Sequence, residues 1–103
     1  MFRGTTPKIR AKIPEYITAD SISQIWMTFS QNGEVILNKV KSDFEIEGQT
    51  AIVTLSQAET LTFDGGKTLE VQIRILRTNG EALASKKRRF RVEEILKDGE
   101  INA

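Results

Sequence analysis

Residues 67–92 read KTLEVQIRILRTNGEALASKKRRFRV, and this stretch decides the fold. Leu69, Val71, Ile73 and Ile75 alternate with Glu70, Gln72 and Arg74, the period of two that gives a strand one apolar face. Asn79-Gly80 follows, the dipeptide that most readily adopts the two positive φ values of a type I′ hairpin turn. A second extended run ends in Phe90 and Val92. The stretch predicts a β-hairpin with one face built for a core, and the remaining chain has to supply strands that cover it.

Working outward, the chain does supply them. Ile9, Ala11 and Ile13 alternate with Lys8, Arg10 and Lys12, and Pro14, lacking an N–H for a ladder, ends this first strand at what is expected to be an edge. Residues 16–23 read as a connector without amphipathic character. IWMTFSQ (25–31) is rich in the β-branched and aromatic residues that suit a pleated surface, with Ile25, Met27 and Phe29 on one face and Trp26, Thr28 and Ser30 on the other. Asn32-Gly33 is a second hairpin signal, returning into EVILNKV, where Val35 and Leu37 compete with Ile36 and Val40 for the core. Phe44 and Ile46 mark a short strand, and Gly48-Gln49 leads into TAIVTLS. Ser56 and Glu59 have the S-x-x-E spacing of a capping box, which predicts one short helical turn near residues 56–61.

About seven short strands with Gly-containing turns, and no long helix between them, predict an all-β chain, a single antiparallel β-sandwich. Residues 1–6 are expected to be a flexible N-terminal arm, 7–96 the sandwich domain and 97–103 a C-terminal tail. The expected core is Ile9, Ile25, Met27, Phe29, Val53, Leu55, Leu69, Val71, Ile73, Ile75, Phe90 and Val92, each on the apolar side of its alternating run.

Composition limits the chemistry. The chain has 103 residues, room for one core and no second. It contains neither Cys nor His, so disulfides, thiol catalysis, imidazole triads and the usual zinc, copper and non-haem iron sites are excluded. No apolar run approaches the roughly 20 residues of a spanning helix, and the first residues lack the apolar core of a signal peptide. The carboxylate pairs Glu45/Glu47, Glu93/Glu94 and Asp98/Glu100 lack calcium-loop spacing, and Asp64-Gly65-Gly66-Lys67 lacks the phosphate-loop pattern. No catalytic, cofactor or metal-binding residue is assigned, and no cofactor is expected.

Two features point to interaction. Lys87, Arg89 and Arg91 alternate along the last strand as Lys8, Arg10 and Lys12 do along the first, and if these strands are neighbours the stripes merge into one basic face. Such a face suits phosphate, yet alternating cations also protect a solvated sheet edge, and 15 basic against 14 acidic residues leave the chain near neutral. Trp26 is either an exposed anchor for a partner or, as expected for the largest apolar side chain, covered by the second sheet.

The segments IWMTFSQNGEVI, TLSQAETLTF, VQIRILRTNGEALAS and FRVEEIL resemble the small immunoglobulin-like β-sandwich proteins of phages and prophages of Gram-positive bacteria, in particular the N-terminal domain of phage upper-baseplate proteins. The likeness runs from about Pro7 to Leu96 and consists of core and turn positions. It implies an immunoglobulin-like sandwich acting as a non-enzymatic structural or protein-interaction module in virion (tail or baseplate) assembly, or as an accessory protein. It implies partners among other phage structural proteins or further copies of itself, located in the host cytoplasm during assembly or in the virion. No coiled coil or receptor-binding region follows the sandwich here, which favours a stand-alone prophage protein. The alternative is a small nucleic-acid-binding protein that uses the basic strand faces.

Overall fold

A computed structural model describes all 103 residues. The strands are β1 (Lys8–Lys12), β2 (Ile22–Gln31), β3 (Glu34–Val40), β4 (Phe44–Glu47), β5 (Thr50–Thr54), β6 (Thr68–Arg77), β7 (Ala82–Ala84) and β8 (Arg88–Arg91), with one short helix, α1 (Gln57–Leu61). They form two antiparallel sheets packed as a sandwich. The smaller sheet has the order β1-β5-β4; the larger has β3-β2-β6-β7, with β8 also paired to β6. The second arm of the hairpin in residues 67–92 is thus two strands. Arg74 pairs with Ala84 and Val71 with Arg88, so Gln72 and Ile73 face the three residues Ser85, Lys86 and Lys87, a bulge that carries the lysines outward. Ser85 repairs the ladder there, accepting from the Ile73 N–H through its Oγ at 3.1 Å and donating its own N–H to the Ile73 carbonyl at 2.9 Å.

Both Asn-Gly turns are present, with different geometry. At Asn32-Gly33 both residues have positive φ (53° and 76°) between the paired Gln31 and Glu34, the type I′ turn that matches strand twist. At Asn79-Gly80 only Gly80 is positive (91°), so the type I′ expectation fails there. The Gly80 N–H donates to Arg77 O at 3.0 Å and the Arg77 N–H to Glu81 O at 2.8 Å, a three-residue loop closed by a bulge at glycine. The Asn79 side chain selects it, its Oδ1 accepting from the Glu81 N–H at 2.9 Å.

The core follows the alternation of the strands. Ile9, Met27, Phe29, Val53, Leu55, Leu69, Val71 and Val92 are buried together with Phe63, whose ring stacks on Phe29 at 5.9 Å. A second cluster holds Ile13, Ile17, Ile22, Ile25, Ala51 and Ile75. Ile73 and Phe90, expected in the core, are only half-buried: Ile73 lies opposite the bulge, and Phe90 lies on β8, which pairs on one side only, with β6. Ile17 and Ile22 belong to a stretch that reads as a connector, yet both are fully buried. The Gln49 amide fastens that stretch, donating to Pro14 O at 2.8 Å and Ile17 O at 3.0 Å. The mixed pattern of EVILNKV also has a cause. The register slips between Phe29 and Ser30, which pair with Leu37 and Val35, so Ile36 is an extra residue and the alternation changes phase.

The capping box at α1 forms as the sequence predicts. Ser56 Oγ accepts from the Glu59 N–H at 3.1 Å, and Glu59 Oε1 accepts from the Ser56 N–H at 2.8 Å. The arm expected to be loose is instead docked. Arg3 N–H donates to Glu93 O at 3.1 Å and Glu93 N–H to Met1 O at 2.7 Å, a short parallel pairing beyond β8. The Arg3 guanidinium then caps the end of α1, donating to Leu61 O at 3.0 Å and Phe63 O at 2.8 Å, with Glu94 and Asp98 nearby. This single side chain supplies partners for carbonyls that a helix end leaves free.

Candidate interaction surfaces

The two basic stripes do not merge. β1 pairs with β5 in the smaller sheet, whereas β8 pairs with β6 in the larger one. Lys8, Arg10 and Lys12 alternate with Ile9, Ala11 and the buried Ile13, so they point away from the core on the outer side of the smaller sheet. Arg89 and Arg91 lie opposite Glu70 and Thr68 on the outer side of the larger sheet. The two outer sides of a sandwich face opposite directions, so the expected single basic face is absent.

Charge pairing divides the stripes further. Arg89 meets Glu70 at 3.3 Å and Arg91 meets Glu93 at 3.0 Å, so local carboxylates engage both. Lys8, Arg10, Lys12, Lys86, Lys87 and Arg88 form no ion pair. Arg88 instead lies over the Phe90 ring at 5.4 Å. Arg10 and Arg88 both border a small cleft lined by Ile9, Met27, Val71 and Ile73.

Trp26, expected to be covered, is 46% exposed. The period of two puts it on the outward face of β2, and no element of the chain packs over the larger sheet on that side. Its cross-strand neighbours are Val40 on β3 and Arg74 on β6, and Arg74 in turn faces Ala84. The next row holds Gln24, the exposed Leu76 and Ala82, and Trp26 with these residues lines a shallow depression of about 220 Å³. Arg89, on β8, sits on the same face opposite Glu70, four residues along β6 from Arg74 and so roughly 14 Å from the tryptophan row. The result is a tryptophan beside an arginine, Arg74, that forms no ion pair, two residue types enriched where protein partners make their strongest contacts.

Elsewhere the polar side chains are structural. Glu59 reaches the ammonium of Lys39, which projects from β3 toward α1. Partial burial by itself raises the Glu59 pKa, but hydrogen bonds from Lys39 and Ser56 and the charge of Lys39 together outweigh it, leaving the carboxyl below its ordinary value. No group of three or more carboxylates converges on a point that would hold a metal ion, and no helix is long and apolar enough to cross a membrane. No family model matches the chain, and a search of curated proteins found no match.

Proposed function

We propose that this chain is a non-enzymatic protein-interaction module of prophage origin, a structural or accessory protein of virion assembly that works in the host cytoplasm or in the virion. The observation that carries the reading is the exposed Trp26 in its row with Val40 and Arg74 on the uncovered face of the larger sheet. Burying an aromatic residue against a partner brings large apolar area at little rotamer cost, and a guanidinium beside it adds directed hydrogen bonds. The likeness to phage baseplate sandwiches supports the setting, and the all-β architecture is compatible with it. The nucleic-acid alternative is weaker, because its two cation stripes face opposite ways and Arg89 and Arg91 are engaged by carboxylates.

The test is co-expression with the products of the flanking genes. A tail or baseplate component should co-purify with this chain, and Trp26→Ala should abolish co-purification while leaving the thermal melt nearly unchanged. Flanking genes for replication or repression, or a complex indifferent to Trp26→Ala, would sink the proposal.

A further inference from the structure

We propose that the two open edges of the smaller sheet, β1 and β4, pair with each other between copies, so that the chain assembles head to tail through parallel strand addition. The inference is independent of the Trp26 face, which lies on the opposite sheet.

Each edge is unpaired on its outer side, since β1 and β4 both pair only with β5. Their side chains carry opposite charge. Arg10, Ile52 and Glu45 form one row across the sheet, and Lys12, Thr50 and Glu47 the next. One edge of the outer surface is thus basic and the other acidic, and none of Lys8, Arg10, Lys12, Glu45 and Glu47 has an ion-pair partner within the chain.

Backbone parity fits as well. The bonds from Leu55 N–H to Pro7 O (3.0 Å) and from Ile13 N–H to Gln49 O (2.7 Å) bracket the β1–β5 ladder. Bonded pairs alternate along an antiparallel ladder, so Ile9 and Ala11 bond to β5 and the backbone groups of Lys8, Arg10 and Lys12 face the open edge. The same alternation on β5 gives Thr50 and Ile52 to Glu47 and Glu45, and it turns the Phe44 carbonyl and both backbone groups of Ile46 outward.

β1 and β4 run parallel within one copy, both being antiparallel to β5. A neighbouring copy displaced along the row, without inversion, therefore brings its β4 beside β1 in parallel. The Arg10 N–H then meets the Phe44 carbonyl of the second copy, the Ile46 N–H meets the Arg10 carbonyl, and the Lys12 N–H meets the Ile46 carbonyl. In this register Arg10 faces Glu45 and Lys12 faces Glu47 on the outer side. On the inner side half-buried Phe44 lies beside Ile9, and half-buried Ile46 beside the small Ala11. Pairing of β1 with β1, or β4 with β4, would set like charges opposite each other, so the charges select the mixed contact. Because such a contact uses two different patches, it grows into a ring or an open row rather than stopping at a symmetric dimer. The larger sheet is wider than the smaller one, which bends the row with the smaller sheets on its inner side.

Analytical ultracentrifugation of the full chain tests this. The wild type should show mass rising with concentration, and the rise should weaken with added salt. Arg10→Glu/Lys12→Glu and Glu45→Lys/Glu47→Lys should each be monomeric alone, with circular dichroism spectra like the wild type's. Mixed together, the two variants should co-assemble in alternation, through native edges at one contact and charge-reversed edges at the next. The chain carrying all four changes should assemble again. Trp26→Ala should assemble like the wild type, which separates this inference from the partner face on the other sheet. A wild type still monomeric at about 1 mM, a symmetric dimer, or a mixture of the two variants that stays monomeric would overturn the proposal.

Discussion

The side-chain amide of Gln31 grips the backbone of Asp64 from both sides: its Nε2 donates to Asp64 O at 2.9 Å, and its Oε1 accepts from the Asp64 N–H at 2.7 Å. Gln31 is buried at the end of β2, and the bonds pin the loop after α1, with Phe63 in it, against the core. Gln31→Leu keeps much of the volume but strands two backbone groups, so it is expected to cost about 2–3 kcal/mol in urea denaturation. A loss under about 0.5 kcal/mol would show that water replaces the amide.

Phe29 and Ile73 share the apolar face of the larger sheet but differ in burial, and truncation should separate them. Phe29, fully buried against Phe63, is expected to lose about 3–5 kcal/mol on conversion to Ala. Ile73, half-buried beside the bulge, should lose only about 1–2 kcal/mol, since its site is already partly open to water. Equal losses would mean that the edge is closed in solution.

Gly80 has open space where a Cβ would stand, so substitution there tests backbone strain alone. Gly80→Val forces a β-branched residue to a φ near 91° and is expected to cost about 1–2 kcal/mol, measured by thermal melting. An unchanged melt would show that the loop moves to another turn type at no cost.

Because the folded pKa of Glu59 is depressed, the stability it contributes is present above its unfolded pKa and is lost as pH falls through the folded value. The stability difference between wild type and Glu59→Gln should therefore be largest at neutral pH and shrink below about pH 4. A difference that stays constant across that range would assign the effect to the capping hydrogen bond and not to charge.

The outward cations of the closing strand should matter little to stability. Lys87→Ser, in the exposed bulge, is expected to change it by no more than about 0.5 kcal/mol. Arg89→Ser loses a solvent-exposed contact with Glu70, worth at most about 1 kcal/mol. Filter binding should detect no duplex DNA or single-stranded RNA bound at physiological salt. Micromolar binding that disappears when Lys87→Ser and Arg89→Ser are combined would favour the nucleic-acid reading instead.

The hairpin, the strand faces and the capped turn were legible in the sequence because each rests on neighbours close along the chain. Alternation alone points Leu69, Val71 and Ile75 inward, and the four residues from Ser56 to Glu59 are enough to cap α1. What the tertiary structure decided depends on partners far apart in sequence. Ile17 and Ile22 are core residues only because the sandwich closes over their connector and Gln49 supplies its hydrogen bonds. Arg3 orders the first residues only because the carbonyls at the end of α1 come to lie beside it. Trp26 stays exposed because both sheets bury their other faces against each other, which no local pattern states. The two basic stripes look alike along the chain, yet they lie on opposite faces because β1 joins β5 and β8 joins β6. Periodicity assigns a side chain to a face of its own strand; only strand pairing decides which sheet that face belongs to and what charge stands beside it.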